Sequence, residues 1–186
     1  MSRIQPEVTV ATEVAYSGSY ISVRRDTVRT GSGVVATREI VLHPPVVVMV
    51  PLNGNGDLVM VRQYRKAVER ELLELPAGGI DEGESAEDAV RREMIEETGL
   101  VVGSLKLLGT IFSTPGMSDE VMHIYRVWDL TGDGVPTEPA DEIAMEVISR
   151  GDALKMAMDG RICDAKSIVG IAMLESASLH NEEFPG

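Results

Sequence analysis

Glu93, Glu96 and Glu97 cluster in the segment Gly78–Leu100, which also holds Glu84, Arg91 and Arg92. Ser85 followed by Asp88 supplies a capping pattern, and Gly99 sits where a left-handed C-terminal cap belongs, so residues 85–98 are expected to be helical. On a wheel of about 100° per residue, Ala86, Ala89, Val90 and Met94 define one apolar arc, the face that should meet the core. Glu93 and Glu97 fall inside that arc, one turn apart, and Glu96 lies on its edge. Carboxylates belong on the opposite, wet face. Like charges one turn apart cost roughly a few tenths of a kcal/mol even when exposed. Burial without a partner costs several kcal/mol for each, and the helix dipole disfavours anions at this end. A positive partner must therefore be present in the folded protein. With no cysteine or histidine nearby, an all-oxygen donor set suits a hard divalent cation, Mg²⁺ or Mn²⁺. Arg91 and Arg92 point elsewhere on the wheel, where Arg92 could at most orient a neighbour such as Glu84. The competing reading is a charge-rich surface helix whose Glu and Arg side chains pair along its length.

Around this segment the chain reads as strands. Residues 8–43 carry β-leaning pieces at Tyr20–Val23 and Val34–Val41, with the turn-prone Gly31-Ser32-Gly33 before the second. Val46–Leu52 and Leu58–Val61 flank Asn53-Gly54-Asn55-Gly56-Asp57, the best hairpin signal in the sequence. Leu72–Pro76 leads into Ala77-Gly78-Gly79, read as a loop. Leu105–Phe112 and Val121–Leu130 are expected strands joined by Ser113–Glu120, and Thr131–Asp141 is expected to be an exposed loop. Glu142–Ile148 reads as a last strand. A short helix near Asp152–Met158 precedes Ala165–Leu179, which is apolar at helical spacing and should pack on the sheet. Strands interspersed with helices imply an α/β or α+β sandwich of layers.

Composition narrows the partners. The 186 residues include 17 basic and 30 acidic ones, a formal net charge of −13. Such a surface repels nucleic-acid phosphates and anionic membranes, so neither is an expected partner. An anionic small ligand is compatible only where local cations or a bound metal reverse the field. Cys163 is the single cysteine, which excludes an intramolecular disulfide and a cysteine zinc cluster; it is expected to be a small buried residue. Residues 1–20 carry no apolar signal-like stretch, and Val46–Val50 is too short to cross a bilayer, so a soluble cytoplasmic protein is expected. His43, His123 and His180 have no metal-ligand spacing. No Gly-x-Ser-x-Gly elbow is present, and Gly31-Ser32-Gly33 lacks the third glycine of a dinucleotide fingerprint.

Gly78, Glu84 and the run Arg92-Glu93-Met94-Ile95-Glu96-Glu97-Thr98-Gly99-Leu100 resemble the Nudix box, with every fixed position of that pattern filled. The resemblance extends, less tightly, over most of the chain. It implies a Nudix hydrolase, which cleaves nucleoside diphosphates linked to another moiety, built as an α/β/α sandwich around a mixed β-sheet with an N-terminal β-rich extension. By the same resemblance Glu93, Glu96 and Glu97 hold the metals, and Glu84 supports the helix or a metal. Arg92 holds the Glu side chains by ion pairing. The chemistry agrees with the residues. A pyrophosphate linkage is doubly anionic and resists an anionic nucleophile, and divalent ions on its oxygens neutralise that charge.

Gln63-Tyr64-Arg65, Glu71-Leu72-Leu73 and Glu74-Leu75-Pro76-Ala77-Gly78, with Ser113–Glu120 downstream, resemble the ADP-ribose pyrophosphatase branch, whose marker proline falls about where Pro115 stands. That likeness implies cleavage of ADP-ribose to AMP and ribose 5-phosphate. Hydrolysis of another nucleotide sugar or a dinucleotide, and a non-catalytic nucleotide-binding module, are the alternatives. Ala77 would offer its backbone carbonyl to a metal. Substrate contacts would come from Arg65, whose planar fork suits oxyanions, and from Arg38, Glu120 and Pro115; for either arginine a surface ion pair is the alternative. The implied catalytic set is Glu142 as general base, with Glu138 and Asp141 behind it, together with Glu96 and Arg92. Mg²⁺ is the implied cofactor, with Mn²⁺ able to substitute, and the implied partner is a nucleotide sugar or ADP-ribose-like small molecule. Residues 1–42 would form a β-rich segment serving homodimerisation, and residues 43–186 the Nudix hydrolase domain.

Overall fold

Val46–Pro51 contains no polar side chain, so as a strand it needs apolar cover on both faces. In the computed structural model, which describes residues 4–137 and 143–179, it receives that cover and every residue of it is buried. This strand, β4, is the centre of the second of two units, residues 45–111 with 122–186; the first comprises residues 1–44 with 112–121.

The first unit is an antiparallel meander of β1 (Val8–Ser17), β2 (Ser22–Arg29) and β3 (Val35–Leu42). Registers such as Thr12↔Asp26 and Asp26↔Arg38 run through it. Its sheet has little core of its own: Val28 and Asp26 are buried, whereas all of β1 is exposed. The segment after Phe112 joins it, through Val41 N–H to Met117 O at 2.8 Å and His43 N–H to Asp119 Oδ1 at 3.0 Å.

In the second unit the remaining strands are β5 (Leu58–Arg65), β6 (Arg70–Glu74), β7 (Ala77–Gly79), β8 (Leu100–Phe112), β9 (Val121–Gly132) and β10 (Ile143–Ile148). They form a three-stranded antiparallel sheet, β10-β5-β6, and a mixed sheet, β7-β4-β9-β8, in which β4 and β9 run parallel. Helix α1 (Ala86–Thr98) lies on one face, and α2 (Arg150–Asp159) and α3 (Ala165–Leu179) on the other. Strand alternation makes this explicit. Val47 and Met49 pack with Ala89, Val90 and Met94 of α1, while Val46, Val48 and Val50 pack with Ala153, Ile171 and Leu174 of α2 and α3. Each fully buried side chain of this size contributes roughly 1.5–3 kcal/mol. Among the described residues no helix is long and apolar enough to cross a membrane.

Three local expectations change. The Asn-Gly segment does turn the chain, but no hairpin ladder follows: β4 and β5 meet only at the bridge Leu52↔Leu58. Asn53 Oδ1 accepts from Asn55 N–H and Asp57 N–H, both at 2.9 Å, and within the loop only Gly56 takes a positive φ, 80°. A tight two-residue turn needs two such residues; this wider loop leaves β5 to pair with β6 and β10. Ala77–Gly79 is a short strand rather than a loop, pairing Val48↔Ala77 and Val46↔Gly79, because the buried edge of β4 needs backbone partners. Cys163 is exposed, in the turn just after the fully buried Ile162, and its sulfur accepts from Arg70 Nη2 at 3.3 Å.

Candidate active site

Helix α1 begins and ends as its sequence dictates. Ser85 accepts from the Asp88 N–H at 3.1 Å, and Gly99 takes φ 68° while its N–H returns to Ile95 O. That phase fixes which side chains turn inward. Glu93 and Glu97 are 8% and 5% exposed, on the same face as the fully buried Met94.

The positive group beside Glu93 is Arg92. Its guanidinium donates to Glu84 at 2.9 and 2.8 Å, to Glu93 at 2.5 Å, to Glu96 at 3.0 Å and to Gly79 O at 2.8 Å. The wheel alone would have confined it to Glu84, but a long side chain from the adjacent face sweeps three carboxylates together. Hydrogen bonds to Glu84 foremost raise the Arg92 pKa. In return, Arg92 and then the Asp81 N–H, at 3.0 Å, hold the Glu84 carboxyl down to about 2.

Gly78 is obligatory here for steric reasons. A Cβ on it would lie 1.9 Å from Glu93 Cδ and 2.1 Å from both carboxylate oxygens, so backbone and carboxylate share space that no other residue leaves open. Next to it, the Ala77 N–H donates to Glu97 Oε2 at 3.0 Å. The β7 backbone and two buried acids thus form a glycine-lined cradle of oxygen donors, and this donor set fits a hard divalent cation. Among the described residues no three acidic, histidine or cysteine side chains converge as a preformed cage; Glu84, Glu93 and Glu96 converge on the guanidinium instead.

A second charged cluster stands on β5, β6 and α3. Arg65 grips Glu74 through Nε at 2.9 Å and Nη2 at 2.7 Å, and Lys166 Nζ donates to the same carboxylate and to Asp164 Oδ1, the latter at 2.9 Å. Glu74 is 2% exposed. Burial pushes its pKa upward, but Arg65 and Lys166 together override that and hold it below the ordinary carboxylate value. In the sequence Glu74 stands only as part of a motif, without a role of its own, and Lys166 in none. The available signal was an acid inside the apolar run Leu72–Pro76, the same anomaly that marks Glu93 and Glu97.

The site candidates therefore divide. Ala77, Glu84, Arg92, Glu93, Glu96 and Glu97 come together around α1, and Arg65 stands on Glu74 in the same unit. Arg38, Pro115 and Glu120 belong to the other unit. There Arg38 forms an exposed pair with Glu7 at 2.5 Å and lines a cleft with Phe112 and Pro115, and Glu120 lies 3.6 Å from His43 Nδ1. Glu138, Asp141, Glu142 and His180 lie outside the described residues. The chain before Glu138 runs over the end of α1, with Thr137 N–H donating to Glu96 O at 3.0 Å.

Comparison with known proteins gives a consistent picture. The NUDIX domain family model matches residues 42–167. An ADP-ribose pyrophosphatase of Bacillus subtilis (strain 168) is 33% identical over 171 residues, 91% of this chain and 92% of that protein. A methanol dehydrogenase activator of Bacillus methanolicus is 29% identical over 177 residues, 94% and 96% of the two chains. The crystal structure of an ADP compounds hydrolase superposes with a TM-score of 0.85 at 20% identity, covering 98% of this chain and 100% of that one, a likeness of fold.

Proposed function

Because the chain belongs to the Nudix family, we propose that it hydrolyses the pyrophosphate bond of ADP-ribose, giving AMP and ribose 5-phosphate. The observation that carries this reading is the α1 cradle, where Gly78 makes room for a buried carboxylate and Arg92 holds three acids in place. The match to an ADP-ribose pyrophosphatase over most of both chains supports the choice of substrate.

In this reading Glu93, Glu96 and Glu97, with the Ala77 carbonyl and Glu84, hold Mg²⁺ or Mn²⁺. The cation, when bound, offsets the charge of the pyrophosphate oxygens and acidifies water. Arg92 sets the orientation of the acids. Arg65 presents a guanidinium to the phosphates, since its bonds to Glu74 use Nε and Nη2 and its side chain remains 40% exposed. Glu142, with Glu138 and Asp141 behind it, takes the proton from the attacking water. The balance is one water oxygen bonded to phosphorus, one bridging P–O bond broken. Residues 1–42 serve homodimerisation, which the exposed Val8, Val10, Val14 and Tyr16 of β1 support.

The test is a substrate panel with Mg²⁺: ADP-ribose, nucleotide sugars, NADH and dinucleoside polyphosphates, with released nucleotide resolved by chromatography. ADP-ribose is expected to give the highest kcat/KM. A higher value for another member reassigns the substrate, and no turnover of any member overturns the hydrolase reading.

A further inference from the structure

We infer that Lys166, on the C-terminal helix, is a positioning residue that fixes the phosphate-facing Arg65 by sharing Glu74 with it. This rests on the hydrolase reading above. The N-terminal turn of α3 is fastened to the strand that leads into the cradle. Lys166 Nζ donates to Glu74 Oε2 and to Asp164 Oδ1, and Asp164 Oδ1 also accepts the Ser167 N–H at 3.0 Å. Ser167 Oγ in turn accepts the buried Leu75 N–H at 2.7 Å. Two residues further on, Ala77 meets Glu97. Glu74, Leu75 and Ala77 are thus tied in sequence to α3, α3 and α1.

The physical consequence concerns Arg65. A guanidinium on one buried carboxylate could slide between bidentate and single-oxygen geometries. Lys166 donates to Oε2, the same oxygen that accepts from Arg65 Nη2, while Oε1 accepts from Arg65 Nε, so a second cation pins the carboxylate and the Nε/Nη2 fork has one favourable seat. Lys166 is itself only 11% exposed, so its ammonium has left most of its water and is committed to these acids. The Arg65 pKa is raised foremost by its hydrogen bonds to Glu74, with the Glu97 and Asp164 carboxylates adding smaller contributions of the same sign.

The experiment is a kinetic double-mutant cycle on ADP-ribose with Lys166→Met, Arg65→Ala and the pair, with Lys166→Arg as the conservative variant. Lys166→Met is expected to raise KM about 10-fold while kcat stays within about twofold, the pattern of lost substrate binding. Lys166→Arg is expected to recover most of that loss. In the Arg65→Ala background Lys166→Met should add nothing to KM, because its effect passes through Arg65. Additive KM effects, or a kcat loss with KM unchanged, overturn the inference. Should Lys166→Met fail to fold, Lys166→Gln with and without Arg65→Ala carries the same comparison. A wild-type enzyme inactive on ADP-ribose would instead count against the hydrolase reading, and the cycle would then be run on whichever panel member is turned over.

Discussion

Two charged clusters flank Ala77, and they differ in balance. Around Arg92 one cation serves three carboxylates, with a fourth, Glu97, accepting the Ala77 N–H of β7. Around Glu74 two cations, Arg65 and Lys166, meet two acids, Glu74 and Asp164. The first cluster carries surplus negative charge in a partly buried place, which favours taking up a cation. The second is close to neutral, its acids matched by the protein's own cations. Folding can complete the second unaided, while the first is completed by what it binds.

The sharpest way to break this contrast is to remove charge from each side. Glu97→Gln keeps the shape of the buried acid but withdraws a negative charge, and turnover is expected to fall by about 100-fold or more with the far-ultraviolet spectrum unchanged. A fully active variant would mean that the surplus charge is idle. Gly78→Ala is expected to destabilise the fold by about 1–3 kcal/mol by forcing Glu93 out of its seat; chemical denaturation would measure it, with activity lost in parallel.

A Mg²⁺ titration separates the clusters directly. At about 100-fold above its Kd, linkage gives about 2.7 kcal/mol, and the melting temperature should rise by about 5 °C or more. Glu97→Gln should reduce that rise and Lys166→Met should leave it unaltered, because the balanced cluster has no deficit to fill. The smallest effect concerns acid. The Glu84 carboxyl lies at about 2 against an ordinary 4.5, so its stabilisation is complete above about pH 4.5 and lost as pH falls toward 2. Glu84→Gln should flatten the unfolding midpoint over that window and leave it flat above.

What could be read beforehand follows the range of the forces. The cap, phase and inward acids of α1 are local, and the sequence carries them through Ser85, Gly99 and the wheel. The Glu74 cluster is assembled from β5, β6 and α3, and nothing near Arg65 announces Lys166. The attachment of residues 112–121 to the N-terminal sheet rests on single backbone bonds such as Val41 to Met117, for which no side-chain pattern exists. The Asn53 loop misleads in the other direction, since its residues suit a tight turn but its side chain closes a wider one.

The central strand has one more implication. Val46–Pro51 presents similar apolar side chains to both helical layers, so sliding it by one residue would exchange its faces at little hydrophobic cost. Its address must come from its neighbours: the backbone ladders to β7 and β9 and the Asn53 loop that ends it. Gly78 pairs with Val47 in that ladder, so a substitution that displaces β7 to clear Glu93 would be felt in the sheet as well as in the site.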